Sequence, residues 1–152
     1  MGYRVMAFTF KIRDFLRPRR DIVREVGIKE GFTVLDYGCG PGGYVVAVAE
    51  LVGKSGKLYA LDVNPLAIEM IRGLVVRKRL LNVETILSGR STGLSDGSVD
   101  VVLLYDTFHD LSDPDGVLEE LHRVLKSNGT LSFSDHHMRE DEIKSKLTKG
   151  GF

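Results

Sequence analysis

The stretch "VLDYGCGPGGY", residues 34–44, constrains this chain more than any other. An apolar run ends in an acid, Asp36, and is followed by four glycines (Gly38, Gly40, Gly42 and Gly43), a proline and a second apolar run. Glycine takes positive φ readily and places no Cβ in the way of a neighbour. One glycine serves a tight strand-to-helix turn. Four predict a loop where another molecule lies against bare main chain, at the carboxyl edge of a parallel sheet.

The rest of the chain supplies such a sheet. Five β-rich runs stand at 33–37, 57–62, 83–87, 99–105 and 130–135, with helical patterns between them. Helices are expected over 21–26 and 43–52. Two more begin at Asn64-Pro65 and Asp113-Pro114, each an N-cap followed by proline at the first helical position. The last of these puts Val117, Leu118, Leu121, Val124 and Leu125 on one face and is expected to stop at Asn128-Gly129. A short helical pattern with Ile143 and Leu147 on one face ends the chain. Alternation of this kind predicts an α/β fold with a doubly wound, mostly parallel sheet, and 152 residues suffice for one domain, 1–152. With 21 basic against 21 acidic residues, no overall field draws the chain to nucleic acid or anionic lipid. The first thirty residues lean basic, which reads as a solvated face. A small-molecule partner is expected, with no nucleic acid and no membrane. Cys39 is the single cysteine, so no disulfide forms within the chain. No apolar run approaches the roughly 20 residues that span a bilayer, and Arg4, Lys11 and Arg13 break up any leader. The expected location is cytoplasmic.

Gly38, Gly40 and Gly43 also satisfy the dinucleotide spacing G-x-G-x-x-G. Asp36 argues against that ligand. A dinucleotide puts its pyrophosphate beside this turn, where a carboxylate would repel it. S-adenosylmethionine carries an ammonium and a sulfonium, which an acid at Asp36 suits. Asp62, the last residue of the run "LYALD", stands 20 residues beyond Gly42, where it can accept from the two hydroxyls of an adenosine ribose.

Together with "LSDGSVDVVLLYDTFHDL" and "VLKSNGTLSFSD", these stretches resemble the class I S-adenosylmethionine-dependent methyltransferases over residues 19–135. They are most similar to the group typified by ubiquinone and menaquinone biosynthesis enzymes. The resemblance implies a Rossmann-like methyltransferase fold with seven strands. Its cofactor, S-adenosylmethionine, lies across the carboxyl ends of the first, second and fourth predicted strands. It carries Asp36, Gly38, Gly40 and Gly42 over to the methionine moiety and Asp62 to the ribose. The family's "GDA"-like adenine turn reads Leu87-Ser88-Gly89-Arg90-Ser91 here, so adenine would rest on main chain or on the side chains that turn offers, Ser88 and Arg90. The family closes its sheet with two further strands, and this chain stops at Phe152. That predicts a sheet lacking its last two strands, with 130–135 as an open edge: either a shortened chain or a homodimer that pairs along the edge.

Methyl transfer from a sulfonium is an in-line displacement, and orientation alone accounts for roughly 7–11 kcal/mol of such a barrier. A general base, contributing on the order of 10²–10⁴ in rate, is needed only when the acceptor must lose a proton. Tyr105, Asp106 and His109 lie in the turn that faces the transferable methyl in the family. His109 is the expected base or a shaper of the pocket, and Asp106 a partner for the ammonium. Asp135, His136 and His137 are metal-ligand types, but adjacent strand histidines point to opposite faces, so no metal is expected. Cys39 has no base beside it and is not read as a nucleophile. The apolar and basic residues of 1–18, among them Phe8, Phe10, Ile12, Phe15 and Leu16 with Arg4, Lys11, Arg13 and Arg17, are expected to form a lid for an aromatic or lipid-like acceptor bearing negative charge. The expected function is methyl transfer to a small-molecule acceptor. The alternative is a non-catalytic or degenerate cofactor-binding module; a nicotinamide-dependent oxidoreductase is the reading Asp36 argues against.

Overall fold

The computed structural model describes residues 4–7 and 18–152. Among these residues the elements run β1 (Arg4–Ala7), α1 (Arg19–Glu25), β2 (Thr33–Tyr37), α2 (Val45–Val52), β3 (Lys57–Asp62), α3 (Pro65–Lys78), β4 (Val83–Leu87), β5 (Val99–Tyr105), α4 (Pro114–Val124), β6 (Leu125–Ser134) and α5 (Glu140–Lys149). The strands form one sheet in the order β1-β6-β5-β2-β3-β4, every pair parallel. From β2 the chain winds outward through β3 and β4, then returns to place β5 on the other side of β2. The crevice between the carboxyl ends of β2 and β5 is thus the topological switch point, where ligands of doubly wound sheets bind.

Both faces of the sheet are covered, which is why its central strands read as continuous apolar runs. Leu35, Val102, Leu104, Leu131 and Phe133 pack against Leu118 and Leu121 of α4 and Ile143 and Leu147 of α5. Val34, Leu58, Ala60, Val101 and Leu103 turn the other way, onto Val23 of α1, Val48 and Val52 of α2 and Ile71 of α3. The predicted helix starts hold. Asn64 Oδ1 accepts from Leu66 N, Asp113 Oδ1 accepts from Gly116 N, and Pro65 and Pro114 open their helices. No helix of the described residues is long and apolar enough to cross a membrane.

Four strands, β2 to β5, have the limits expected from sequence. The fifth corrects the reading: α4 does not run on to Asn128-Gly129. It ends at Val124, where Leu125 becomes extended (ψ 134°) and pairs with Val99. The next pairing joins Val101 to Thr130, so residues 126–129 bulge out of the ladder, and Gly129 is not in a left-handed conformation. Burial of Leu125 and the ion pair of Lys126 with Asp100 (2.8 Å) outweigh the local stop signal.

The second correction concerns the edge. Residues 130–135 are not an open edge strand, because β1 runs beside them in register, Arg4 with Thr130 through Ala7 with Phe133. The main-chain groups that were to pair with another copy are satisfied within the chain. Residues 4–7 of the expected 1–18 lid are therefore a strand of the sheet. The remainder of that segment, residues 1–3 and 8–17, lies outside the described residues.

Candidate functional site

The chain leaves β2 through a turn fastened to β3. Gly38 N and Cys39 N both donate to the carbonyl of Leu61, at 2.8 and 3.0 Å. Gly40 N donates to Asp62 Oδ2 at 2.8 Å, while Asp62 Oδ1 accepts from Asn64 N at 2.9 Å. One carboxylate thereby holds the glycine loop and the start of α3 in fixed relation. Three of the glycines do different work. At Gly38 (φ +77°) a Cβ would stand 2.1 Å from Thr107 Oγ1, so its bareness lets the β5 loop close up. Gly42 (φ +88°) faces Ile71 and lets the start of α2 approach α3. Gly40 (φ +52°) has nothing within 4 Å of its missing Cβ, so the space above it is open.

That space is a cavity of about 300 Å³ at the carboxyl ends of the central strands. Gly38, Gly40, Asp62, Ser88 and Asp106, five residues singled out from sequence, all line it. Tyr37, Thr107 and Asp110 line it as well. Tyr37 donates its hydroxyl to the carbonyl of Gly89 (2.9 Å) and so fixes the loop after β4 beside the cavity.

The other predicted residues stand behind this wall. Asp36 is 3% exposed, and its Oδ2 is buried without a hydrogen-bond partner. Burial, and then the charge of Asp62, push its carboxyl up to about 7. Gly42 packs on α3. Arg90 does not reach the cavity; its guanidinium pairs with Asp113 (3.0 Å) and Glu119 (3.8 Å). Tyr105 is buried, its hydroxyl 2.6 Å from Ser132 Oγ and its ring edge-on to Tyr44. Burial pushes its phenol well above the ordinary range. Cys39 is also buried, and desolvation followed by the charges of Asp36 and Asp62 keeps its thiol protonated.

Beyond β5 two loops exchange carboxylate and imidazole partners. Asp106, a non-glycine residue at φ +49°, accepts at Oδ1 from His136 N (2.8 Å) and Nδ1 (2.6 Å). Asp135, its side chain fully buried, accepts at Oδ2 from His109 N (3.0 Å) and Nδ1 (2.9 Å), and at Oδ1 from His137 N (2.9 Å). His109 Nε2 lies 3.3 Å from Asp110 Oδ2, and its ring lies 4.1 Å from that of His137. The hydrogen bond to Asp135, above all, raises the His109 pKa from its ordinary value. Within the "SDHH" stretch, then, Asp135 and His136 serve different partners, and the described residues hold no group of side chains that could bind a metal.

Sequence reasoning missed Tyr37, Thr107 and Asp110 as lining residues, and Asp135 as the partner of His109. Tyr37 reads as core from its place in an apolar strand. No local signal ties position 109 to position 135, because their pairing comes from the adjacency of β5 and β6.

The cavity fits an adenosyl ligand carrying positive charge. A Cβ at Gly40 or Gly89 would meet nothing within 4 Å. A carboxylate offers about four lone-pair sites, and Asp62 uses one on each oxygen, leaving capacity for two ribose hydroxyls. Asp36, behind the wall and two residues before Gly38 in the chain, supplies a buried acid with an unused oxygen.

Comparison with known proteins agrees with this geometry. The family described as "Methyltransferase domain" matches residues 28–151. A demethylmenaquinone methyltransferase of Geobacillus stearothermophilus is 32% identical over 129 residues, covering 84% of this chain and 55% of that protein. The chain spans about half the length of the curated relatives it matches. Among solved structures, a SAM-dependent methyltransferase from Aquifex aeolicus is 33% identical with a TM-score of 0.83, covering 91% of this chain and 81% of that one. A coclaurine N-methyltransferase bound to N-methylheliamine and SAH is 25% identical with a TM-score of 0.64, covering 74% of this chain and 33% of that one. The parallel doubly wound sheet, the open glycine loop at its switch point and a family match across 28–151 together establish that the chain belongs to the methyltransferase-domain family.

Proposed function

We propose that this chain transfers a methyl group from S-adenosylmethionine to a small quinol-type acceptor in the cytoplasm. The observation that carries the reading is the pairing, at one switch-point cavity, of bare main chain at Gly40 with the carboxylate of Asp62. When bound, S-adenosylmethionine supplies a methyl group on a positively charged sulfur, already activated for displacement. In this reading Asp62 receives the ribose hydroxyls. Ser88 and the main chain near Gly89 border the adenine, with Arg90 bracing that turn through Asp113. Gly38, Gly40 and Gly42 keep the loop low enough for the methionine portion to pass, and Asp36 and Asp106 set a negative field for its ammonium. Tyr105 stiffens the wall from behind through Ser132. His109, held by Asp135 at Nδ1 and facing Asp110 at Nε2, shapes the loop beside the cavity, and its neutral form, present above its raised pKa, takes the proton lost by the acceptor. The quinol class is supported by the naming of the Geobacillus relative as a demethylmenaquinone methyltransferase.

Calorimetric titration with S-adenosylmethionine, S-adenosylhomocysteine and NAD, on wild type and on Asp62→Ala, tests the ligand. Binding of both adenosyl ligands and not NAD, weakened at least about tenfold in the variant, is expected; loss of one charged hydrogen-bonding partner is worth about 1.5–3 kcal/mol. Binding of NAD alone, or of none of the three, overturns the reading. Adenosyl-ligand binding without turnover of any quinol acceptor leaves a binding module.

A further inference from the structure

We infer that Asp36 is a neutral carboxylic acid in the ligand-free protein and gives up its proton when a cationic ligand enters the neighbouring cavity, so that binding is coupled to proton release. The inference rests on the functional reading above, because it takes the ligand to be a cationic adenosyl compound.

The geometry points this way. Asp36 stands next to last in β2, two residues before Gly38, is 3% exposed, and offers an Oδ2 that no donor among the described residues reaches. It pairs with Ala60 of β3, so Asp62, two residues further on, lies on the same face of the sheet. Among the described residues, the groups that sense its charge are Asp62 from β3, Cys39 in the glycine loop, Tyr44 before α2 and Tyr105 from β5, none of them a cation. Arg19 sits over the ring of Tyr44 at 5.6 Å, and the charge of Asp106 also acts on that tyrosine. His109 and His136, the histidines of the adjacent loops, are engaged by Asp135 and Asp106.

A buried carboxylate without a donor, beside a second carboxylate, is held in its neutral form. The value of about 7 places the proton's departure within the physiological range. A cation brought within a few ångströms typically lowers such a pKa by about 1–3 units. A lowering of about 2 units or more then gives, by linkage, release of about half a proton at pH 7 and nearly one at about pH 6. The ligand binds about tenfold more weakly at pH 6 than at pH 8. A neutral nucleoside in the same cavity supplies no cation and releases no proton.

The test uses two probes, S-adenosylmethionine, which carries an ammonium and a sulfonium, and adenosine, which has no cation. Calorimetry in phosphate and in Tris, buffers of unlike ionisation heat, reads the protons released. The expected result is a buffer-dependent heat for S-adenosylmethionine near pH 7, none for adenosine, and, in Asp36→Asn, weakened S-adenosylmethionine binding whose heat no longer depends on the buffer. Binding of S-adenosylmethionine with equal heats in both buffers overturns the inference and leaves the methyltransferase reading standing. Absence of any adenosyl binding overturns both. Should Asp36→Asn fail to fold, the ¹³C carboxyl titration of Asp36 in the ligand-free wild type decides: a midpoint near neutrality supports the inference, and one near the ordinary aspartate value overturns it.

Discussion

Replacing Asp135 by asparagine isolates the clasp between the loops that follow β5 and β6. Its buried carboxylate receives three donors: His109 N, His109 Nδ1 and His137 N. An asparagine of the same shape keeps its carbonyl oxygen toward His137 N but turns an amide nitrogen, itself a donor, toward both donors of His109. Each buried donor left without an acceptor costs about 1–3 kcal/mol. Because the His109 side chain is 23% exposed, water relieves the ring nitrogen in part, and the expected loss is about 2–4 kcal/mol. The pH dependence has a definite sign. Asp135 raises the His109 pKa above its unfolded value, so the stabilisation from the charged ring is fully present below about 6.5 and is lost as pH rises through the folded pKa. Urea unfolding near pH 5.5 and near pH 9, with matched m-values, should show a larger penalty for Asp135→Asn at the acidic pH. A variant as stable as wild type, or a penalty of equal size at both pH values, would refute the argument.

Three further outcomes follow from single contacts. Gly38→Ala puts a Cβ 2.1 Å from Thr107 Oγ1 at a φ of +77°; left-handed strain and overpacking together should cost about 2–5 kcal/mol, read as a lowered Tm with weakened adenosyl-ligand binding. Glu120, held down at about 2 chiefly by hydrogen bonds from Arg123 and also by Thr92, contributes stability that is present above its unfolded value of 4.5 and lost as pH falls through about 2. Glu120→Gln should therefore cost on the order of 1 kcal/mol at neutral pH, with the gap to wild type closing on acid titration followed by circular dichroism. Cys39, whose thiol burial keeps protonated, should resist iodoacetamide at about pH 8 in the folded protein and react at an ordinary cysteine's rate in denaturant.

How far the molecule could be read from its sequence depended on whether a signal was local. β2 to β5 were legible because each is an apolar run with sharp ends, and the capped starts at Asn64 and Asp113 were legible because cap and proline are neighbours in the chain. The end of α4 was misread for the same reason. Asn128-Gly129 is a strong local stop, and the pairing of Leu125 with Val99 that overrides it is not local. β1 escaped notice because its partner, β6, lies far from it in sequence. In the site, the glycine spacing and Asp62 were readable, whereas the attachment of Asp62 to Gly40, the engagement of Arg90 by Asp113 and the hold of Asp135 on His109 are relations between loops that only the sheet order creates.

The pairing of β1 with β6 also sets an order of events. Arg4 is made long before its partner, Thr130. The sheet therefore cannot close on this side until β6 has been made, and joining β1 to β6 brings together residues far apart in sequence, the slowest kind of contact to form. Until then the outer side of β6 has unpaired N–H and C=O groups. Folding of this chain thus carries a late interval in which it is open to pairing with a second copy, and that interval should shorten or lengthen with residues 4–7, far from the cavity and without change to the chemistry performed there.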